Sequence, residues 1–199
     1  MAAGLECSEL LTVGDELLRG DVVNGNAAWL GARLFECGVP VQRWSRSPTK
    51  PARSSAPYEA AARCRLLVIT GGLGPTVDDL TVAALAQAIG EPLIRRPELV
   101  SAIEQRFAAM GLRYSSNNDK QAELPPSATA LANSCGSAPG VALPVGACQV
   151  FCLPGVPAEM RAMFDAQVAP WVLAQLERGA VARRTIKLFG LGEEKPTGC

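Results

Sequence analysis

Residues 65–70, RLLVIT, show no polar–apolar alternation, which marks a strand buried on both faces of a sheet. Such strands occur where helices cover both faces, and the following residues supply one. The loop GGLGPTVDD leads into LTVAALAQAIG, an apolar helix closed by Gly90. A buried strand, a glycine loop and a helix in succession form the repeating unit of a parallel α/β sheet, and the rest of the chain repeats the alternation.

Upstream, LECSELLTV (5–13) predicts a first strand, GDELLRGDVVNGN (14–26) a loop, and NAAWLGARLFECG (26–38) a helix. Val23, Ala27, Leu30 and Leu34 fall on one helical face, Asn24 or Asn26 can cap it, and Gly38 can end it. VPVQRWS (39–45) reads as a second strand, RSPTKPARSSAP (46–57) as a loop and YEAAARC (58–64) as a short helix. Downstream, PELVSAIEQRFAAMG (97–111) is a helix with Pro97 in its first turn and Gly111 after its last. LRYSSNNDKQAELPPSA (112–128) is polar and loop-like, and short strands fall near 128–132 and 140–143. CQVFCLPG (148–155) is a strand ending in a turn, PAEMRAMFDAQVAPWVLAQLERG (157–179) a helix interrupted at Pro170, and RRTIKLFG (183–190) a last strand. The expected fold class is α/β, a three-layer sandwich with a mainly parallel central sheet. Residues 1–178 form the domain, and 179–199 a strand and tail where a second domain would start.

Lys plus Arg and Asp plus Glu are equal at 19 each, so the chain lacks the basic excess of a nucleic-acid binder. There is no histidine, which excludes a histidine base or a histidine metal ligand. The seven cysteines form no C-x-x-C pair and sit in apolar surroundings. They read as reduced thiols of a cytoplasmic protein, with a zinc site through Cys135, Cys148 and Cys152 disfavoured. The first residues carry no basic n-region, and no apolar run approaches the ~20 residues of a membrane span. Trp29, Trp44 and Trp171 read as core or interface residues.

In a parallel sheet, ligands bind outside the carboxyl ends of the strands. Three loops lie there: GDELLRG, TGGLGPTVDD and LPGVP. Gly71, Gly72 and Gly74 let backbone N–H groups approach an anion, the helix beyond adds its positive end, and Thr76 adds a hydroxyl. Their spacing matches neither a P-loop nor the dinucleotide fingerprint, so the glycines alone also fit a tight turn. Of Asp78 and Asp79, one is expected to cap the helix. Two carboxylates beside an anion seat suit a cation shared with a diphosphate. Asp15 and Glu16 bring carboxylates to the same rim, and Pro154 and Gly155 precede a second helix start. Asn117, Asn118, Lys120 and Gln121 supply amides and a cation for a base, sugar or phosphate, although a solvated connection explains them as well.

The segments TVGDELLRGDVVNGNAAWLGARL, VITGGLGPTVDDLT, NNDKQAELP, GSAPG and LPGVPAEM resemble, in this order, the N-terminal domain of competence/damage-inducible protein A (CinA). That domain belongs to the molybdopterin-binding superfamily of molybdenum-cofactor biosynthesis. The resemblance covers about residues 8–190, and a related loop occurs in eukaryotic FAD synthase.

The resemblance implies a three-layer α/β, molybdopterin-binding-like domain forming a homo-oligomer, a dimer or a trimer. It implies divalent-metal-dependent (Mg, Mn or Co) cleavage of nucleotide pyrophosphates such as ADP-ribose. The alternatives are molybdopterin binding or adenylyl transfer in cofactor synthesis, or an inactive paralogue. The metal and catalytic acids map onto Asp79 and Glu16, and Asp78, shared mainly with the CinA-like branch, joins them. The phosphate-cradling positions map onto Gly71, Gly72, Gly74, Pro154 and Gly155, and Thr76, Asn24, Asn26, Asn117, Asn118, Lys120 and Gln121 stand beside them as candidate phosphate- or nucleotide-binding residues. The 46–57 stretch, Arg65, Gly25 and Ser137 depart from the family pattern, and the family's amidase domain is not carried over.

Overall fold

The computed structural model describes residue 5, residues 7–49 and residues 55–176. The predicted strand at 183–190 lies outside the described residues. The chain runs β1 (Ser8–Val13), α1 (Asp15–Arg19), α2 (Gly25–Glu36), β2 (Val41–Ser47), α3 (Ala56–Arg63), β3 (Leu66–Thr70) and α4 (Thr81–Ile89). It continues through β4 (Ile94–Arg95), α5 (Pro97–Ala109), a 3-10 segment (Ser116–Ala122), β5 (Glu123–Leu124), β6 (Thr129–Leu131), β7 (Gly140–Val145) and β8 (Cys148–Leu153). A last helical stretch comprises α6 (Pro157–Met163), a π turn (Phe164–Val168) and α7 (Ala169–Gln175).

Six strands form one sheet in the order β2-β1-β3-β8-β7-β6. The first four are parallel; β7 runs against β8 and β6 against β7. The register sets Thr12 beside Thr70 and Thr70 beside Leu153, so β1, β3 and β8 end level. The connection from β1 places β2 on one side, and the next crossover places β3 on the other. The boundary between β1 and β3 is therefore the topological switch point, where doubly wound sheets leave a crevice.

The apolar run of β3 behaves as its pattern predicts, because alternate residues enter two cores. Leu66 and Val68 pack with Leu30, Leu34, Met160 and Phe164 beneath α2 and the last helical stretch. Leu67 and Ile69 pack with Ala60, Ala61, Leu73 and Leu85 beneath α3 and α4. Burying each such side chain stabilises by about 1.5–3 kcal/mol. The three layers are thus helices, sheet, helices. A small lobe around Val100, Ile103 and Ala122 joins α5 to the 3-10 segment, and antiparallel β4 and β5 flank it.

Several local expectations are corrected. The predicted 14–26 loop contains α1, and β1 begins at Ser8. Asn24 caps α2, its side chain accepting from Ala27 N–H at 3.0 Å, so Val23 precedes the helix and is exposed. The 112–128 stretch holds a 3-10 segment with three buried residues, Asn118, Gln121 and Ala122, and then β5. The irregularity ascribed to Pro170 appears one turn earlier, as the π turn. A proline has no N–H and its ring crowds the carbonyl four residues back, so the turn before it widens. Trp29 and Trp171 meet Phe164 and Phe151 edge-on, with centroids 5.5 and 5.2 Å apart, whereas Trp44 lies on edge strand β2, 55% exposed.

Candidate functional site at the carboxyl edge of the sheet

Loops from three adjacent strands converge at the switch point. Gly71 N–H donates to Leu153 O at 3.0 Å, holding the glycine loop against the end of β8. Its φ is +94°, and a Cβ there would collide with the Val13 carbonyl of β1, so only glycine lets β1 and β3 end this close. Thr81, the first residue of α4, donates its hydroxyl to Gly71 O at 3.0 Å and its N–H to Gly72 O at 3.3 Å. The loop is therefore tied to the helix it introduces.

Two recesses flank this loop, and the chain passes from one to the other within two residues. The larger, about 240 Å³, is lined by Thr12, Glu16, Asn24, Asn26, Thr70, Gly155 and Arg161. Asn24 Nδ2 donates to Thr12 Oγ1 at 3.0 Å, and Asn26 Nδ2 donates to Gly155 O at 2.7 Å, which locks the LPGVP loop to α2. Glu16 is exposed, and its carboxylate curls back to where a side chain on Gly14 would begin. Its neighbour Asp15 has a different part. Asp15 Oδ1 accepts from Thr49 N–H at 3.0 Å while Asp15 N–H donates to Thr49 Oγ1 at 3.2 Å, clamping the ends of β1 and β2 together.

The smaller recess, about 30 Å³, is lined by Gly72, Gly74, Asp79, Lys120 and Gln121 over an apolar floor including Leu73, Val82 and Leu124. Asp79 does not cap α4. The cap residue is Leu80, which makes no side-chain cap bond. Asp79 Oδ2 instead accepts from Thr76 N–H at 3.0 Å and Thr76 Oγ1 at 2.6 Å, and it lies 2.6 Å from where a Cβ on Gly74 would sit. A carboxylate that closes this tight turn cannot also reach the helix amides. From the small lobe, Lys120 Nζ donates to Thr76 O and Gln121 Nε2 donates to Leu73 O at 3.2 Å, so the 3-10 segment braces the glycine loop.

Among the described residues, two buried side-chain atoms at this edge lack a hydrogen-bond partner: Thr70 Oγ1 and Gln121 Oε1. Thr70 is 1% exposed and lines the larger recess; Gln121 is 8% exposed and lines the smaller one. Leaving such an atom unpaired costs about 1–3 kcal/mol, so each marks a place where a ligand or a water completes the structure.

Other predicted site residues fall differently. Asn118 is buried with its amide donating to Ser115 O at 2.9 Å, and Asn117 is exposed and lines neither recess. Pro154 is buried, and Asp78 is half-buried beside Asp79. Glu16, Asp78 and Asp79 are not gathered into a ready-made metal cluster. Among the described residues, no group of three His, Cys, Asp or Glu is placed to hold a metal ion. The cause is visible in the turns: Glu16 opens into one recess and Asp79 is drawn by Thr76 into the other. Thr70 and Arg161 are additions that sequence reasoning missed. Arg161 sits one helical turn beyond Pro157, on the side of α6 that faces the larger recess, with its guanidinium 5.6 Å from the centre of the Trp29 ring.

Residues 9–174 match the family described as "Probable molybdopterin binding domain". A structure titled as CinA with unknown function, from Thermoplasma acidophilum, superimposes with a TM-score of 0.76 at 34% identity, covering 83% of this chain and 97% of that one. The chain belongs to the CinA-like branch of this family. A CinA-like protein of Parasynechococcus marenigrum (strain WH8102) is 44% identical over 188 residues, 93% of this chain but 45% of the relative, so the chain spans under half that protein's length. A molybdopterin biosynthesis protein from Mycobacterium abscessus superimposes with a TM-score of 0.57 at 20% identity, covering 85% of this chain and 93% of that one, a likeness of fold alone. The CinA-like fold is thus the three-layer α/β sandwich described above. Among the described residues, no helix is long and apolar enough to cross a membrane.

Proposed function

We propose that this CinA-like domain binds a nucleotide diphosphate across the Gly71–Gly74 loop and hydrolyses its pyrophosphate with the help of a divalent cation. ADP-ribose is the representative substrate. The single observation that carries the reading is the pair of unpartnered buried groups on either side of a glycine loop. Thr70 offers a hydroxyl to a phosphate oxygen in the larger recess, where Arg161 supplies positive charge. Gln121 offers a carbonyl to an N–H or O–H of the nucleoside. The smaller recess, at about 30 Å³, has room for a hydroxyl or amino group.

The donors fit a cation held largely by its ligand. Glu16 in the larger recess, or Asp79, next to Asp78 in sequence, in the smaller one, would contribute a carboxylate, and phosphate oxygens and water would complete the shell of Mg, Mn or Co. Such an ion, when bound, neutralises the diphosphate and acidifies a water molecule. The chain's own residues do the positioning. Gly72 and Gly74 bring bare backbone to the phosphates, Lys120 and Gln121 hold that backbone still, and Asn26 fixes Gly155 on the opposite wall. We place the protein in the cytoplasm as a homo-oligomer, with the exposed Trp44 and Phe35 at the open β2 edge available for self-association.

A second reading, capture or adenylyl transfer of molybdopterin through the same loops, is favoured by the family match across residues 9–174. Incubation with ADP-ribose, FAD or adenylylated molybdopterin, each with magnesium, manganese or cobalt, separates them. The proposal expects AMP from ADP-ribose. Tight retention of the pterin without AMP supports the second reading. An unchanged melting temperature with every nucleotide and metal marks an inactive domain, since a ligand that binds only the folded state raises apparent stability.

A further inference from the structure

The amino end of the sheet carries a second feature that the carboxyl-edge site does not use. Cys64 follows the last residue of α3 and Cys148 opens β8, 84 residues apart in sequence, yet their sulfur atoms lie 3.7 Å apart. The backbone around them is pinned: Gln149 N–H donates to Arg65 O at 2.9 Å, and Leu66 pairs with Gln149 in the sheet. Both cysteines are buried, but Cys64 lines a surface groove of about 480 Å³ together with Cys7, Tyr58, Arg65 and Gly146, and Arg65 stands exposed at its lip.

We infer that Cys64 and Cys148 form a redox-active dithiol, in which Cys64 reacts with small anionic disulfides entering the groove and Cys148 resolves the adduct into an internal disulfide. The sheet pairing fixes the backbone beside both cysteines, and their sulfurs lie 3.7 Å apart. The pair also has the polarity that exchange requires. The Cys148 S–H lowers the pKa of Cys64 by hydrogen bonding to it, while Cys148 itself is raised. The chemistry is thiol–disulfide exchange. The Cys64 thiolate attacks one sulfur of RSSR; that S–S bond breaks and RS⁻ leaves. Cys148 gives its proton to the departing thiolate and attacks Cys64 Sγ, and a second RS⁻ leaves. Two electrons pass from the protein to the reagent, which becomes two RSH, the second RS⁻ taking up the proton that Cys64 released to water on ionising. The product joins β8 to the α3–β3 turn and closes a loop of more than eighty residues, a length at which a crosslink strongly restricts the unfolded chain.

The test uses the full chain with glutathione disulfide, followed by peptide mapping, thiol counting and thermal melts. The expected result is a Cys64–Cys148 linked peptide, two thiols lost from the interior, and a melting temperature raised by about 5–15 °C, reversed by a reductant. Cys64→Ser and Cys148→Ser abolish the linkage and the shift, and Cys7→Ser keeps both. The mapping on the unaltered chain stands even where a variant fails to fold. The inference is overturned by a linkage through Cys7, by a lasting glutathione adduct on Cys64, by reaction confined to exposed Cys135, or by an oxidised form that melts no higher than the reduced one.

Discussion

The two ends of one sheet treat buried polarity in opposite ways. At the amino end, Glu9 of β1 is 4% exposed and fully answered: Arg63 donates to its two oxygens at 3.0 and 2.9 Å, and Arg43 stands 3.6 Å away. Ser8 beside it donates its hydroxyl to Pro40 O at 2.9 Å. At the carboxyl end, Thr70 is as buried as Ser8 and its hydroxyl has no partner. One end is completed by the chain itself; the other keeps unsatisfied groups beside a recess. On the function proposed above, the contrast marks the carboxyl edge as the place for a ligand, because stability alone would have filled both ends alike.

The largest expected effect is at the point where the strands of the carboxyl end are drawn together. Gly71→Ala sets a Cβ against the Val13 carbonyl at a φ of +94°, and destabilisation of about 3 kcal/mol or more is expected, with loss of folded protein or a melting point lower by ~6–12 °C. Next comes the amino end. Arg63→Ala strands a buried carboxylate and is expected to cost about 2–3 kcal/mol in denaturant titrations. Thr70→Val keeps the shape and removes the unpartnered hydroxyl. Stability is expected to stay level or rise by up to about 1 kcal/mol, while nucleotide affinity by calorimetry falls roughly 5–10-fold. A clear loss of stability would mean that Thr70 is already satisfied and that the contrast is false.

The smallest effect lies in the small lobe. Burial, and then the hydrogen bond to Asp119, push the Tyr114 hydroxyl from its usual 10.0 to about 12. A raised folded pKa stabilises fully below the unfolded value and is lost as pH rises from 10 towards 12. Tyr114→Phe should therefore flatten the fall of melting temperature across that alkaline window, and in the neutral range lower the melting temperature slightly through loss of the hydrogen bond to Asp119.

Much of this frame is legible in the residues. The unalternating run of β3, the Gly90 stop and the Asn24 cap each follow from a local rule that tertiary packing does not disturb. The convergence of three loops on one rim follows from the alternation of strand and helix. Elsewhere the local rules run out. A five-residue helix such as α1, between Gly14 and Gly20, has too few positions to show a period. β4 and β5 pair over two residues each and leave no pattern. Asp79 looks like a helix cap because Asp caps helices, but Thr76 three residues earlier competes for the same oxygen. Gln121 reads as solvated because its stretch is polar, and only the meeting of the small lobe with Leu73 buries it. Thr70 reads as the last residue of a strand, since nothing in a sequence records a missing partner.

The most direct measurement of the central claim is AMP release from ADP-ribose with magnesium, manganese or cobalt, by the parent chain and by Asp79→Asn at matched melting temperature. The account predicts turnover by the parent and a loss of at least about 100-fold in the variant, since the substitution preserves the turn with Thr76 and removes the charge that would share the cation. A variant that matches a turning-over parent, or a parent that forms no AMP with any of the three metals, contradicts it.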